Sequence, residues 1–277
     1  AGAQMVALTE MFITGYQTRD LIMKPAFVRD AMAALEQLAR DCQDGPALGV
    51  GGPWWDGAQL FNAYWVMDKG RVVARILKHH LPTDTVFDER RQFSAAPVSG
   101  PYRIGPLRIG TPICEDAWHE DVAETLEETG AEILLVPNGS PYSRNKYDRR
   151  VALMVARVIE TKLPLVYLNM VGAQDDQVFD GASFVLNPKG ELAAQFPAFD
   201  EHVAHVEFHK GGSGWSAVRT DLEPLPDAWE MDYRAMVEGL RDYTAKSGIR
   251  KLVLGLSGGI DSALVAAIAV DALGADN

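Results

Sequence analysis

The chain mixes tight hairpin turns with strand–helix–strand passages, and that mixture restricts its fold more than any other feature. Asp68-Lys69-Gly70 separates an aromatic-rich apolar run at 61–67 from a β-branched run at 72–77, the pattern of a two-stranded hairpin. Asn187-Pro188-Lys189-Gly190 marks a second such turn. Between them, apolar runs at 107–113, 133–136 and 165–168 read as strands, with helices expected near 121–128 and over 151–161. Parallel strands need such crossover helices, whereas hairpins join antiparallel ones. Met5-Val6-Ala7-Leu8 reads as a buried strand. Pro25 opens a helix on which Val28, Met32, Leu35, Leu38 and Cys42 recur every three to four residues along one face. Gly49-Val50-Gly51-Gly52 reads as glycine in or beside a strand, and 202–208 as a further strand. The sum is an α/β protein with helices packed on a mixed sheet.

At 277 residues the chain exceeds one ordinary domain. A glycine- and proline-bearing stretch, 210–230, reads as a linker between a first unit, 1–209, and the start of a second, 231–277. The second unit offers a helix over 231–245, an apolar strand at 251–256 and an alanine-rich helix at 263–273. Both ends read as cut: the chain opens on Ala1-Gly2-Ala3-Gln4 and stops at Ala275-Asp276-Asn277, directly after a helix. With 47% apolar residues a sizeable core is available, and a net charge of −12 disfavours general binding to nucleic acid or a membrane surface. No apolar run approaches membrane-spanning length, and no secretory signal is expected. Cys42, on the helical core stripe, and Cys114 do not form a disulfide framework, so the cytoplasm is the default compartment.

Three potentially reactive side chains stand at or near strand exits, where a rigid sheet can present them: Glu10, Lys78 and Cys114. Their surroundings are Glu10-Met11-Phe12-Ile13-Thr14-Gly15-Tyr16, the segment 78–93 with Val86-Phe87-Asp88-Glu89-Arg90, and Ile113-Cys114-Glu115-Asp116-Ala117-Trp118. In order and wording these resemble the motifs of the nitrilase superfamily, carbon–nitrogen hydrolases with a Glu-Lys-Cys triad. Thr83 and Asp84 stand where that family commonly carries Asn or Tyr. The resemblance implies a nitrilase-like α-β-β-α sandwich, the carbon–nitrogen hydrolase fold, with sheets paired across subunits in a homo-oligomer and with the family's first strand missing here. It also implies that Glu10 is the general base for the Cys114 thiol and that Lys78 stabilises the oxyanion. Glu89 matches an additional glutamate that orients Lys78 and the base; its own surroundings equally allow a surface ion pair with Arg90 or Arg91.

Glu115 resembles a residue that helps hold the α-amino group of glutamine. Asn138-Gly139-Ser140-Pro141-Tyr142 resembles a related substrate segment, making Ser140 and Lys146 substrate-binding candidates, although Lys146 equally suits a solvated helix face. Leu254-Gly255-Leu256-Ser257-Gly258-Gly259-Ile260-Asp261-Ser262 is a glycine loop between an apolar run and a helix, where backbone amides favour an anion. It resembles the loop of ATP pyrophosphatases, which implies the first strand-loop-helix of a Rossmann-like domain with Ser257, Gly258, Gly259, Asp261 and Ser262 around pyrophosphate. A nitrilase-type glutaminase placed before such a loop is the layout of the glutamine-dependent NAD synthetase family. That resemblance implies glutamine, ATP with Mg2+, and deamido-NAD as ligands, ammonia passed between two sites, and no cofactor at the glutaminase site. Metal ligands are expected beyond Asn277, and none is identified within the chain. Two other readings stay open: a stand-alone amidase acting on another amide, and a non-catalytic scaffold that keeps the fold.

Overall fold

The computed structural model describes residues 2–84, 86–220 and 222–277; Ala1, Thr85 and Asp221 lie outside the described residues. A first sheet contains β1 (Met5–Ala7), β2 (Ala47–Trp55), β3 (Leu60–Asp68) and β4 (Arg71–Leu77), in that spatial order. β1 runs parallel to β2, and the helix α1 (Pro25–Asp41) makes the crossover; the remaining pairs are antiparallel. The β3–β4 turn places Lys69 at φ 51° and Gly70 at φ 78°, the left-handed pair that a two-residue hairpin of the right twist requires. A single helical turn, α2 (Glu89–Gln92), follows β4.

The second sheet begins with β5 (Tyr102–Ile104) and β6 (Leu107–Gly110), then the helix α3 (Glu120–Glu128). It continues through β7 (Ile133–Asn138), α4 (Lys146–Thr161) and β8 (Leu165–Asn169). A side hairpin, β9 (Val171–Gln174) and β10 (Gln177–Asp180), precedes β11 (Phe184–Leu186) and β12 (Leu192–Gln195). The order is β12-β11-β8-β7-β6-β5, with β6, β7 and β8 parallel.

Strand alternation sorts the side chains into layers. Along β3, Ala63, Trp65 and Met67 pack with Leu35 and Ala39 of α1, while Tyr64 and Val66 face the other way. Along β7, Leu134 and Val136 pack against Met154 and Val158 of α4, while Ile133 and Leu135 turn inward. Tyr64, Val66 and Ile76 then meet Ile109, Ile133 and Leu135 in one buried layer between the sheets. The result is the expected α-β-β-α sandwich, but both sheets come from one chain. The expectation that the sandwich forms by pairing sheets across subunits is corrected here: the apolar inner faces already cover each other.

Three other expectations change. Strand pairing at 202–208 starts only at Phe208; 202–205 lie exposed, and among the described residues no strand pairs with them. The stretch 210–230, expected as linker, carries much of the hairpin β13 (Phe208–Gly211) and β14 (Gly214–Ala217). Ala217 is buried against Val185, Ala193 and Ala194, and its backbone bonds the Asn187 side chain in both directions. Among the described residues the run 251–256 forms no strand: Val253 and Leu256 stay largely exposed, and no described strand edge lies beside it to satisfy its backbone. The helix α5 (Ala228–Lys246) is capped by Asp227, packs on β9 and β10, and pairs with α6 (Ile260–Leu273). No helix among the described residues is long and apolar enough to cross a membrane.

Candidate active site

β1, β4, β6 and β7 deliver Glu10, Lys78, Cys114 and Gly139 beyond their C-terminal ends, so the two sheets present these groups along one rim. Glu10 sits where the chain leaves β1 and crosses β2 at Gly51. A Cβ on Gly51 would lie 2.2 Å from the Met11 nitrogen and 2.4 Å from the Thr9 carbonyl, so only glycine admits the approach. The glycine pattern in β2 therefore positions the carboxylate, which sequence reasoning read as mere strand glycine.

Glu10, Lys78 and Glu89 are at most 2% exposed, and they form one cluster. Lys78 Nζ donates to Glu10 Oε1 at 2.8 Å and to Glu89 Oε1 at 2.9 Å. Asn62 Nδ2 donates to the same two oxygens at 2.7 and 3.2 Å. The Tyr16 hydroxyl donates to Glu89 Oε1 at 2.7 Å, and the Gly139 amide donates to Glu10 Oε2 at 2.8 Å. Glu89 is therefore no surface partner of Arg90 or Arg91; Arg91 pairs with Asp20 and Asp88 instead. Asn62 was missed in the sequence, and Tyr16 and Gly139 were quoted only within motifs, because each reaches the cluster from a different element.

Burial alone would lower the Lys78 ammonium, but the two carboxylates overcome it and hold it well above its ordinary value. Burial raises Glu89, helped by the Glu10 charge against the pull of Lys78. Burial and then the Glu10 charge push the Cys114 thiol well up, with Lys78 opposing. A thiol so placed rests in its neutral form and needs a base to become a nucleophile.

Cys114 opens a short 3-10 turn, Cys114–Trp118, and sits at φ 48°, a left-handed conformation that costs a non-glycine residue about 1–3 kcal/mol. Asp116, 2% exposed, holds that turn. Its carboxylate accepts from the Ile113 amide at 3.1 Å and from the amides of His79 and His80 at 3.0 and 2.7 Å. One side chain thus ties the cysteine turn to the segment after Lys78. Burial pushes Asp116 up to about 7, against those donors and the Lys78 charge. Sequence reasoning quoted Asp116 only as part of a motif.

Of the substrate candidates, Glu115 is half-buried on the same turn, 3.4 Å from His119 Nε2. Ser140 is buried, its amide donating to Asn169 Oδ1 at 3.0 Å and its Oγ accepting from Arg150 Nε at 3.3 Å. Arg150 is itself 1% exposed, and its Nη1 donates to both Asp180 carboxylate oxygens. Lys146 heads α4, half-buried over the Phe87 ring, and no carboxylate among the described residues pairs with it. Burial and then the Arg150 charge lower it. The Ser257 loop lies apart from this cluster's bonds. Ser257 Oγ meets Ser262 Oγ at 3.0 Å, Gly258 stands at φ 85°, and Gly259 leads into α6 with Asp261 exposed in its first turn.

These features can be set beside known proteins. The carbon-nitrogen hydrolase family model matches residues 1–212, and the NAD synthase model matches residues 232–277. A glutamine-dependent NAD(+) synthetase of Rhodobacter capsulatus is 63% identical over 277 residues, covering all of this chain and 50% of that protein. The structure of glutamine-dependent NAD+ synthetase from Acinetobacter baumannii in complex with ADP superposes with a TM-score of 0.92 at 34% identity, over 99% of this chain and 52% of that one. A mutant amidase from Nesterenkonia sp. AN1, with the acetamide moiety of fluoroacetamide added covalently at its active-site cysteine, superposes with a TM-score of 0.62 at 25% identity, over 71% of this chain and 74% of that one. The chain spans about half the length of the curated relatives it matches. With a family match over residues 1–212, the chain belongs to the carbon–nitrogen hydrolase family.

Proposed function

We propose that this chain carries the glutamine-hydrolysing site of a glutamine-dependent NAD synthetase together with the beginning of its ATP-using site. The observation that carries the reading is a buried Cys114 thiol within electrostatic reach of the buried Glu10–Lys78–Glu89 cluster. Glu10 takes the proton from Cys114 Sγ as sulfur attacks the side-chain amide carbon of glutamine. Lys78 and backbone amide near Cys114 stabilise the tetrahedral oxyanion, a contribution on the order of 10²–10³ in rate for a single well-placed donor. Glu10 returns the proton to the departing ammonia, leaving a thioester. Water then attacks that thioester, with Glu10 again the base, and glutamate is released. Glu89, Asn62 and Tyr16 hold Lys78 and Glu10 in place.

Lys146, half-buried and without a carboxylate partner among the described residues, is proposed to meet the glutamine carboxylate, with Glu115 at the α-amino group and Ser140 beside the substrate. The Ser257-Gly258-Gly259 loop, with Asp261 and Ser262, is proposed to surround pyrophosphate of ATP, whose companion Mg2+ has no ligand assigned in this chain. There the carboxylate of deamido-NAD, adenylylated by ATP, would take up the ammonia, giving NAD and AMP. Homo-oligomeric assembly and a cytoplasmic location belong to the same proposal; the two cysteines stand unpaired, as a reducing compartment favours.

An electrophilic glutamine analogue tests the site. Peptide mass mapping should place one adduct on Cys114, suppressed by excess glutamine; an unlabelled Cys114 refutes the nucleophile assignment. The amidase likeness favours one rival, a stand-alone amidase. In that case ATP and deamido-NAD would leave glutamine turnover by the complete protein unchanged.

A further inference from the structure

His79 and His80 follow Lys78 directly, and with Asp121 at the start of α3 they bring three donor atoms within 4.8 Å of one another. His80 Nε2 lies 2.9 Å from Asp121 Oδ1, and His79 Nε2 lies 3.8 Å from Asp121 Oδ2. The two rings stand nearly edge to face, 79° apart with centroids at 4.5 Å, so their Nε2 atoms approach the carboxylate from different directions. Without an ion His80 Nε2 donates its proton to Asp121, and a bound cation would take that proton's place. His79 Nδ1 is 2.5 Å from the Ala96 carbonyl. A carbonyl only accepts, so Nδ1 carries the proton and Nε2 keeps its lone pair. That is the way a metal-bound imidazole is oriented from behind. His119 stacks on His80 at 4.0 Å and steadies the second ring. The three side chains are 33%, 27% and 53% accessible, so an ion can reach them from solvent.

We propose that His79, His80 and Asp121 bind a divalent transition-metal ion of the zinc class. Two imidazole nitrogens and one carboxylate oxygen suit Zn2+ with water as the fourth ligand, whereas Mg2+ and Ca2+ prefer all-oxygen shells. The ion would fasten the segment leaving β4, which carries Lys78, to the first turn of α3. Asp116 already joins that segment to the Cys114 turn, so the metal would brace the same joint from the solvent side.

The test uses the complete, tag-free protein carrying Cys114→Ser, which removes the thiolate as a competing ligand. Co2+ is titrated in while visible absorption is followed, and Zn2+ is then added as competitor. The expected result is one equivalent bound, with the absorption of a four-coordinate site, and an affinity lowered at least about 10-fold by either His80→Ala or Asp121→Asn. Both residues are partly exposed, so the variants should keep the wild-type circular dichroism. Unchanged affinity in both variants overturns the proposal. So does metal binding that appears only when Cys114 is present, which would place the ion on the thiol.

Discussion

Replacing Arg150 with Met should destabilise the protein by about 3–5 kcal/mol, the typical loss when one partner of a buried ion pair is removed. Arg150 and Asp180 are each 1% exposed, so the remaining carboxylate cannot turn to water. The guanidinium donates to both Asp180 oxygens at 2.9 and 2.8 Å, to the Ser140 carbonyl at 2.8 Å and to the Pro141 carbonyl at 3.2 Å. Met fills a similar length and supplies none of these donors. Asp180 would keep the Asn169 amide at 3.4 Å as its remaining side-chain donor. Taken over a 277-residue cooperative unit, an unfolding entropy of roughly 2.1 cal/mol/K per residue gives about 0.6 kcal/mol/K. The Tm should then fall by about 5–9 °C. Near-UV circular dichroism melts of Arg150→Met, Asp180→Leu and the double variant are the assay. The double variant should lose less than the sum of the singles, since the orphaned charge is then gone. The same arginine shapes the loop that offers the Gly139 amide to Glu10, so glutamine hydrolysis should weaken along with stability. A Tm within about 2 °C of wild type, or strict additivity, would show that the loop relaxes around the loss and that the pair is not what holds it.

Three shorter predictions test the rest of the site. Glu10→Gln should lower glutamate release by about 10²–10⁴-fold while ammonium still supports synthesis in the complete protein; comparable loss with both donors would contradict its role as base. Gly51→Ala must displace the Thr9–Met11 backbone, so chemical denaturation should show a loss of about 1–3 kcal/mol together with reduced glutaminase activity. A variant as stable and as active as wild type would show that the approach is not tight. Asp116 has a folded pKa of about 7, above the roughly 3.9 of an unfolded aspartate. The folded state thus holds a proton that the unfolded state releases, and this contribution is full below about pH 4 and lost as pH rises through about 7. Denaturation midpoints of wild type should therefore decline relative to Asp116→Asn between about pH 4 and 7; parallel curves would remove the titration from the account.

What the sequence discloses about this protein follows from how local each feature is. Glu10, Lys78 and Cys114 were legible because each stands in a distinctive word at a strand exit, and their convergence follows from where the rim of a sandwich must lie. The β3–β4 turn was legible because Lys69-Gly70 meets a local backbone demand. Asn62, Tyr16 and Asp116 were not, because their roles exist only once two sheets and the 16–17 and 79–80 segments come together. Arg150 sat unnoticed in a helix whose start at Lys146 lay earlier than the apolar pattern suggested. The run 251–256 shows the opposite failure: an apolar, β-prone segment is a strand only if a neighbouring edge pairs with it, and among the described residues none does. The 210–217 stretch read as linker because glycine signals both flexibility and a hairpin turn.

The central claim is that Cys114 releases the nitrogen that a separate ATP site consumes. The most direct measurement is NAD formation by the complete protein carrying Cys114→Ala, supplied with ATP, deamido-NAD and either glutamine or ammonium. The account predicts synthesis with ammonium and none above background with glutamine. Equal synthesis from both donors would contradict it and take the Glu10–Lys78–Cys114 assignment down with it.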